Sequence, residues 1–335
     1  MTEKFNKCKK NSRKIVTILL VSLLLTGCET DISVFDNYEI PLSQSSEQDI
    51  SEGTTADNID SEFLSADICV VPKKKQSQKD SFMTAGASLI FDNTHNKMLY
   101  ADNIYTKMYP ASTTKIVTAL VALKYGNLND EVTISYNATH INEYGAKLCG
   151  FAEGDKITLK KLLYSFLICS GNDAGIAIAE HIAGSVDKFA AMMNKEVKAL
   201  GCSGSKFVNP HGLHDDNHYT TPYDLYLVFH ELLKYDVFMD IINHSSYKAE
   251  FNGADGNKKT LWFTSTDKYL LGSAKAPEGV TVIGGKTGTT SMAGSNLILY
   301  SKNSNGNSYI SVVMHASDSF SLYSQMSHLL ELENQ

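Results

Sequence analysis

Apolar residues recur along this chain at two spacings, which predict where strands and helices lie. The neighbouring runs ASLIFDN and NKMLYADN, residues 87–93 and 96–103, flank turn-forming asparagines and predict a β-hairpin. Pro110 and Ala111 introduce an apolar helical run that Gly126 is expected to end. Further helical runs are predicted at residues 159–168, 172–184, 186–201 and 221–235. The middle of the chain is therefore expected to be helical.

The C-terminal third changes to a strand pattern. Residues 280–285, 295–301 and 309–315 are β-like runs, the last two joined around the turn pair Asn305-Gly306, and residues 320–333 form a closing amphipathic helix. Strands at both ends with helices between them predict an α+β fold, in which an antiparallel sheet built from both ends of the domain is flanked by helices and carries an inserted all-helical subdomain. We expect this domain to span residues 82–335.

Residues 1–27 have the pattern of an export signal. Six positive charges precede residue 15, and residues 15–25 form an apolar run too short for a comfortable membrane span. The sequence LTGC that follows, residues 25–28, resembles the lipobox of bacterial lipoproteins, which implies that Cys28 becomes lipidated after cleavage. The alternative is an uncleaved membrane anchor with an incidental cysteine. Either way, the body of the protein is expected at the extracytoplasmic face of a bacterial cell membrane.

Residues 28–81 are rich in Ser, Thr, Asp and Glu and lack periodicity, which predicts a disordered polar tether behind the lipidated cysteine. Removing residues 1–27 takes away six positive charges and one negative charge, so the formal net charge falls from −7 to −12. Nucleic acid is not an expected partner, because neutralising phosphates needs clustered cations. Arg13 is the only arginine, so the mature chain must bind any carboxylate through lysine, hydroxyls or backbone N–H groups.

The exported chain would keep four cysteines besides Cys28, namely Cys69, Cys149, Cys169 and Cys202. They allow three pairings, and the sequence favours none of them. Cys169 ends the apolar run LLYSFLIC, a position typical of a buried thiol rather than of a nucleophile.

Ser112 and Lys115 place a hydroxyl and an amine three residues apart, on one face of the predicted helix. Because the serine lies in the first turn, the helix N-terminus favours developing negative charge there, and an unprotonated lysine could accept the serine's proton. The same Ser-x-x-Lys spacing recurs elsewhere, but only Ser112 opens a strongly apolar helix in which the lysine can be desolvated.

Two further segments carry candidate chemistry. Ser170-Gly171-Asn172 interrupts two apolar helical runs, where a hydroxyl can project into a cleft and an amide can hold a peptide group, although such residues are also common in plain turns. Residues 284–290, GGKTGTT, follow a β-like run, and their glycines allow close backbone approach while Lys286 adds a positive charge beside small hydroxyls. This segment lacks the phosphate-loop pattern.

Taken in order, Ser112-x-x-Lys115, Ser170-Gly171-Asn172 and Lys286-Thr287-Gly288 resemble the three motifs of penicillin-binding proteins and serine β-lactamases. Longer stretches, PASTTKIVTALVAL, SGNDAGIAIAEHIAGS, NPHGL with HYTT, and GGKTGTT followed by AGSNL, are similar to the low-molecular-weight penicillin-binding proteins, serine D-alanyl-D-alanine carboxypeptidases of peptidase family S11. The resemblance covers about residues 85–317 and implies the β-lactamase/transpeptidase-like fold.

The resemblance also implies a reaction. Ser112 would attack the carbonyl between the two terminal D-alanines of a peptidoglycan stem pentapeptide, giving an acyl-enzyme that water hydrolyses. Lys115 would accept the proton, and Ser170 would relay a proton to the leaving amine. The implied substrate-binding residues are Asn172, Lys286, Thr287, Gly288 and Thr289. Backbone N–H groups of Ser112 and Thr289 would form an oxyanion hole. β-Lactam antibiotics would act as covalent inhibitors, and no cofactor is expected.

Two departures from the family pattern leave alternatives open. Several relatives place an arginine near the last strand to bind the substrate carboxylate, whereas HASDSFSLY here has none. The family's usual C-terminal β domain and amphipathic anchor are not expected, and the lipid at Cys28 would replace that anchor. The alternatives are a class A-like β-lactamase, a D,D-endopeptidase that cuts cross-links, and a non-catalytic wall-binding homologue. A β-lactamase would need a deacylating glutamate, and the matching segment SKFVNPHGL has no acid.

The stretch PHGLHDDNHYTTPY, residues 210–223, crowds three histidines and two aspartates together as a zinc site would. It lacks the H-E-x-x-H helix pattern, and it matches a structural loop of the serine family. We therefore expect His211 to stabilise the loop, His218 to lie near the helix start at Thr221, His214 to lie at a solvated tip, and no metal to bind.

Overall fold

The computed structural model describes residue 77, residues 80–143 and residues 145–335. The predicted signal peptide, Cys28, Cys69 and nearly all of the predicted tether lie outside the described residues. In chain order the elements are β1 (Ala87–Asp92), β2 (Lys97–Asp102), a 3₁₀-helix (Ala111–Thr114), α1 (Lys115–Tyr125), β3 (Glu131–Thr133), α2 (Tyr136–Thr139), β4 (Lys156–Thr158), α3 (Leu159–Cys169), α4 (Asn172–Ala183), α5 (Val186–Ala199), α6 (Pro222–Leu232), α7 (Asp236–Ile242), β5 (Ser246–Asn252), β6 (Lys258–Thr264), β7 (Val280–Thr290), β8 (Gly294–Asn303), β9 (Ser308–Ala316), α8 (Ser319–Leu330) and a 3₁₀-helix (Glu331–Asn334).

The main sheet is built from both ends of the domain, as predicted. Its five antiparallel strands lie in the order β2-β1-β9-β8-β7, so that the N-terminal hairpin pairs with the last strand of the chain. The predicted α+β class is therefore confirmed. Strand β7 forms one edge of this sheet and runs on to Thr290, beyond the predicted end at residue 285. The Lys286-Thr287-Gly288 motif consequently lies within an edge strand rather than after it.

Both faces of the main sheet are covered, which explains why its strands read as continuous apolar runs. Successive side chains of β1 point to opposite faces, so Leu89 and Phe91 pack into the core formed with the helical block, whereas Ile90 packs beneath α8. Helix α8 brings Leu322 and Met326 to this second core. The sheet thus acts as a two-sided support that fixes β7 and β8 beside the helices.

The inserted segment is not all-helical, which corrects one detail of the predicted architecture. Besides its helices it contains a second antiparallel sheet, in the order β3-β4-β5-β6. Strands β3 and β4 have only three residues each, and β6 alternates between exposed and partly buried positions. Such short, mostly exposed strands leave little apolar signal in a sequence. Helix α7 also lies in a segment for which no element was predicted.

Helix α1 runs through the centre of the helical block. Every residue from Lys115 to Ala122 is buried, and the helix contacts α3, α4, α5 and α6. Its first residue is therefore placed in the protein interior even though it carries an amine. Within the described part of the chain, no helix has the length and apolar character needed to cross a bilayer.

We expect Gly284→Ala to destabilise the fold strongly. Gly284 has φ +144°, and a Cβ built there would lie 1.8 Å from the carbonyl oxygen of Ile242, so β7 would have to move away from the end of α7. The expected loss in the free energy of unfolding is about 3 kcal/mol or more. Thermal or urea unfolding measures this loss.

Gly306→Ala is the matched control, because Gly306 also has positive φ (+83°) but a Cβ there meets nothing within 4 Å. Its expected cost is the conformational strain alone, about 1 kcal/mol. Equal losses in the two variants would show that the contact between β7 and α7 is not tight.

Candidate active site

Ser112 lies in the 3₁₀-helix that precedes α1, at the point where the chain turns between the main sheet and the helical block. The residue before it, Ala111, has φ +48°, a conformation that L-residues rarely adopt. This turn is held by Asn296 of β8, whose fully buried Nδ2 donates hydrogen bonds of 3.0 Å to the carbonyl oxygens of Tyr109 and Pro110. Strand β8 thus fixes the turn that leads into Ser112.

Lys115 places its amine beneath Ser112. Its Nζ lies 3.0 Å from Ser112 Oγ, 2.8 Å from Asn172 Oδ1 and 2.6 Å from the carbonyl oxygen of His211. The side chain is 0% exposed. Burial, and secondarily the charge of Lys286, holds the pKa of Lys115 well below its usual value. The amine is therefore favoured in the neutral form in which it can accept a proton.

Ser170 and Asn172 come from the tight junction between α3 and α4. Ser170 caps the C-terminus of α3 in the left-handed conformation, with φ +67°, and both residues are buried. The N–H of Asn172 donates to the carbonyl oxygen of Lys147 at 2.7 Å. Asp173 accepts from the N–H groups of Cys149 and Gly150 at 2.8 and 2.9 Å. The junction is thereby tied to the preceding loop, which forms a wall of the site.

Strand β7 brings the third motif against the serine turn. A Cβ on Gly288 would lie 2.8 Å from the Pro110 carbonyl oxygen and from the N–H nitrogens of Ser112 and Thr113, so only glycine allows this approach. Lys286 is 2% exposed. Burial, followed by the nearby charge of Lys147, lowers the pKa of Lys286 to about 7. Thr287 Oγ1 lies 2.5 Å from Thr266 Oγ1, which fixes the threonine hydroxyl.

These elements enclose a pocket of about 540 Å³. Most of the predicted site residues line it: Ser112, Ser170, Asn172, Thr287, Gly288 and Thr289. Lys115 and Lys286 lie beneath its surface. Two further lysines, Lys147 and Lys268, line the pocket and offer positive charge to a ligand. The three sequence motifs are therefore brought together in one cleft at the edge of the main sheet.

The histidine-rich loop forms part of the wall of this pocket. His218 Nδ1 accepts from the N–H of Val208 at 3.1 Å, so its Nε2 carries the proton and donates to Thr114 Oγ1 at 2.7 Å. Burial lowers the pKa of His218 to about 4 and that of His211 to about 3. His211 contributes its carbonyl oxygen to Lys115. The structure thus gives these histidines hydrogen-bonding roles in the loop, and among residues 80–143 and 145–335 no group of three or more metal-ligating side chains is arranged to hold an ion.

The sequence motifs do not identify Asn296 and Asp173, two residues whose hydrogen bonds position backbone segments of the site. Both act on backbone groups, so neither belongs to a catalytic motif with a chemical signature of its own. Asn296 lies within the stretch AGSNL, and Asp173 directly follows the Ser170-Gly171-Asn172 motif. A polar residue next to a candidate motif, within an otherwise apolar strand or helix, is the signal that could have found them.

The fold and the order of the motifs define the class of penicillin-binding proteins and serine β-lactamases. A family model described as D-alanyl-D-alanine carboxypeptidase matches residues 73–318. The chain is 32% identical over 252 residues to the D-alanyl-D-alanine carboxypeptidase DacF of Bacillus subtilis, which covers 74% of this chain and 61% of that protein. It is 32% identical over 238 residues to DacA of Haemophilus influenzae, covering 69% of this chain and 57% of that one. The chain therefore belongs to the D-alanyl-D-alanine carboxypeptidase family, peptidase family S11.

Solved structures show the same fold. A variant of the DD-transpeptidase of Streptomyces K15 superimposes with a TM-score of 0.71 and 25% identity, covering 76% of this chain and 99% of that one. Penicillin binding protein 5 from Haemophilus influenzae gives a TM-score of 0.65 and 28% identity, covering 77% of this chain and 72% of that chain. The match spans only about three fifths of the length of the curated relatives DacF and DacA.

We expect Asn296→Ala to lower the free energy of unfolding by about 2–4 kcal/mol. The change leaves the carbonyl oxygens of half-buried Tyr109 and buried Pro110 without this donor, and the N–H of His315 without its acceptor. Thermal unfolding measures the loss. Asn305→Ala, in an exposed turn, is the control and should change stability by less than about 0.5 kcal/mol. Similar melting temperatures in all three proteins would contradict the positioning role of Asn296.

Proposed function

We propose that this protein is a serine D-alanyl-D-alanine carboxypeptidase that removes the terminal D-alanine from peptidoglycan stem pentapeptides. Ser112 is the nucleophile, Lys115 the general base and Ser170 the proton relay, while Asn172, Lys286, Thr287, Gly288 and Thr289 bind the substrate. Family membership supports the reaction class, and the arrangement around Lys115 supports the assignment of roles.

The observation that best supports the proposal is the set of hydrogen-bond partners of the Lys115 amine. A neutral amine has two hydrogens and one lone pair. Asn172 Oδ1 and the His211 carbonyl oxygen can only accept, so together they take both hydrogens. The lone pair is then left for Ser112 Oγ at 3.0 Å, the partner that can donate a hydrogen. The site is thereby prepared for proton transfer from the serine to the lysine.

This geometry supports the following acylation step. Ser112 Oγ bonds to the carbonyl carbon between the two D-alanines while its proton passes to Lys115 Nζ. The resulting oxyanion is stabilised by backbone N–H groups of Ser112 and Thr289, and one such donor contributes about 3 kcal/mol. The proton then moves through the Ser170 hydroxyl to the leaving amine, so that the C–N bond breaks and D-alanine departs. Water attacks the remaining ester to regenerate Ser112.

Substrate binding uses the edge of the sheet. β7 is an edge strand, so its outer side can align an extended peptide in the cleft, with the Asn172 amide holding a peptide group opposite it. The terminal carboxylate of the peptide lies among Lys286, Thr287 and Thr289. This placement favours removal of a terminal residue over cutting of an internal bond.

The place of action is part of the same proposal. The signal pattern of residues 1–27 and the LTGC sequence support export and lipid attachment at Cys28, with residues 28–81 as a tether of the catalytic domain to the outer face of the membrane. The net negative charge of the mature chain accords with a peptide substrate rather than nucleic acid.

Ser112→Ala should abolish covalent labelling by a fluorescent penicillin and should lower kcat for D-alanine release from a pentapeptide by on the order of 10⁶-fold, because no other group can form the ester. Gel fluorescence and a D-alanine assay measure the two effects. Ser185→Ala is the matched control, since Ser185 and Lys188 share the Ser-x-x-Lys spacing but Ser185 only caps α5.

Labelling that is equal in wild type and Ser112→Ala would contradict the assignment. A lack of both labelling and D-alanine release in the wild-type protein would favour a non-catalytic wall-binding homologue. Rapid turnover of penicillin would favour the β-lactamase alternative, and cleavage of a cross-linked dimer in preference to the pentapeptide would favour the endopeptidase.

The pH dependence of kcat/KM for D-alanine release should be bell-shaped. Activity falls at low pH because Lys115, whose pKa is well below its usual value, becomes protonated and can no longer accept the serine proton. Activity falls again as the pH rises through about 7, because Lys286 loses the charge that holds the substrate carboxylate.

Lys286→Arg separates the two limbs, because arginine stays charged throughout this range. The alkaline limb near pH 7 should move upward in this variant by at least about two pH units, while the acidic limb remains. An alkaline limb that is unchanged by the substitution would show that Lys286 does not cause it.

A further inference from the structure

Two thiols face each other directly behind the catalytic junction. Cys149 Sγ lies 3.2 Å from Cys169 Sγ, and both thiols are free. Cys169 is the last residue of α3 and is 6% exposed, whereas Cys149 lies in the loop before β4 and is half-buried. Bond formation needs the two sulfur atoms to approach by about a further 1.2 Å, a distance that side-chain rotation can cover.

The two cysteines belong to the two segments that form this side of the pocket. Cys169 directly precedes Ser170, and the loop that carries Cys149 includes Lys147, whose carbonyl oxygen accepts from the N–H of Asn172. The packing at this contact is close, since a Cβ on Gly171 would lie 2.3 Å from Cys149 Sγ. A bond between the two sulfur atoms would therefore fasten the pocket wall to the catalytic junction.

We propose that Cys149 and Cys169 are a disulfide site, whose oxidation clamps the loop of residues 145–151 to the Ser170-Gly171-Asn172 junction. The exported location predicted for this chain would permit such a bond. Neither cysteine belongs to the three candidate catalytic motifs, so the clamp is separate from the proposed reaction.

The oxidation is a thiol–disulfide exchange with an external disulfide. The Cys169 thiolate attacks the external disulfide, forms a mixed disulfide at Cys169 Sγ and releases one thiol. Burial and the hydrogen bond with Cys169 raise the pKa of Cys149 well above its usual value, so Cys149 reacts second: its thiol loses a proton, attacks Cys169 Sγ and releases the second thiol. The protein thereby loses two protons and two electrons to the oxidant. The hydrogen bond from the Cys149 thiol, together with the N–H of Gly171, favours the thiolate of Cys169 by lowering its pKa.

The pairing is specific among the described cysteines. Cys202 Sγ donates to the carbonyl oxygen of Asp224 at 3.6 Å. Burial also raises the pKa of Cys202 far above its usual value, which disfavours its thiolate. Cys202 is thus an unreactive thiol that serves as an internal control. Cys69 lies outside the described residues, and its participation is one of the outcomes that the experiment distinguishes.

The full chain is equilibrated with oxidised glutathione or with dithiothreitol, alkylated and digested, and the cysteine peptides are identified by mass spectrometry. We expect a Cys149–Cys169 linked peptide after oxidation and alkylated Cys202 in both samples. The melting temperature of the oxidised protein should be higher by roughly 5–10 °C, because the bond closes a loop of about 20 residues in the unfolded chain. Trypsin cleavage after the exposed Lys147 should be at least about tenfold slower.

Cys149→Ser should remove both differences between the oxidised and reduced protein, and Cys202→Ser should retain them. Free Cys149 and Cys169 after oxidation, or a bond from either one to Cys69, would overturn the proposal. A Cys149–Cys169 bond that leaves trypsin cleavage after Lys147 unchanged would overturn the clamp. Since mass and melting temperature report the bond directly, the outcome is independent of whether the proposed carboxypeptidase reaction is correct.

Discussion

The site depends on the burial of one amine. Taking a lysine side chain out of water disfavours its charged form, and the structure does so at the first residue of α1, whose first eight residues are all buried. The buried amine must then find hydrogen-bond partners from the protein, and it takes them from Asn172 of α4 and from the carbonyl oxygen of His211. Distant parts of the chain are therefore required to converge on Lys115 before it can serve as the proposed base for Ser112.

Close backbone approach is the second constraint, and it follows from the first. To cover the amine and leave the serine accessible, the turn at Ala111 must be touched on two sides. Gly288 of β7 approaches from one side, and Gly212 of the histidine-rich loop approaches from the other, where a Cβ would lie 1.9 Å from the Ala111 carbonyl oxygen. The glycines of these two segments are thus packing requirements of the enclosed turn. This packing requirement explains why glycines occur beside the candidate catalytic motifs in this sequence.

The patterns that predicted the fold correctly share one physical origin. The strands of the main sheet and helix α1 are buried on several sides, so their apolar runs stand out. The small sheet failed to appear because β3 and β4 place a single buried residue each between exposed or partly buried ones, and because β6 exposes Trp262. Ser112, Ser170 and Lys286 could be proposed from motif resemblance. The geometry of the site comes from side chains hydrogen-bonded to backbone atoms, such as Asn296, whose sequence signal is only a polar residue in an otherwise apolar strand.

Carboxylate recognition without arginine changes the electrostatics of the proposed site. An arginine would be charged at every accessible pH, whereas Lys286 has a pKa near 7 because it is buried and because Lys147 lies near it. A substrate carboxylate placed beside Lys286 would oppose both effects and raise that pKa, so binding would draw a proton onto the lysine. The added charge would in turn disfavour protonation of Lys115, since the charge of Lys286 lowers the pKa of Lys115. Binding of the proposed substrate would thus help to keep Lys115, the proposed general base, neutral at the step in which we propose that Ser112 loses its proton.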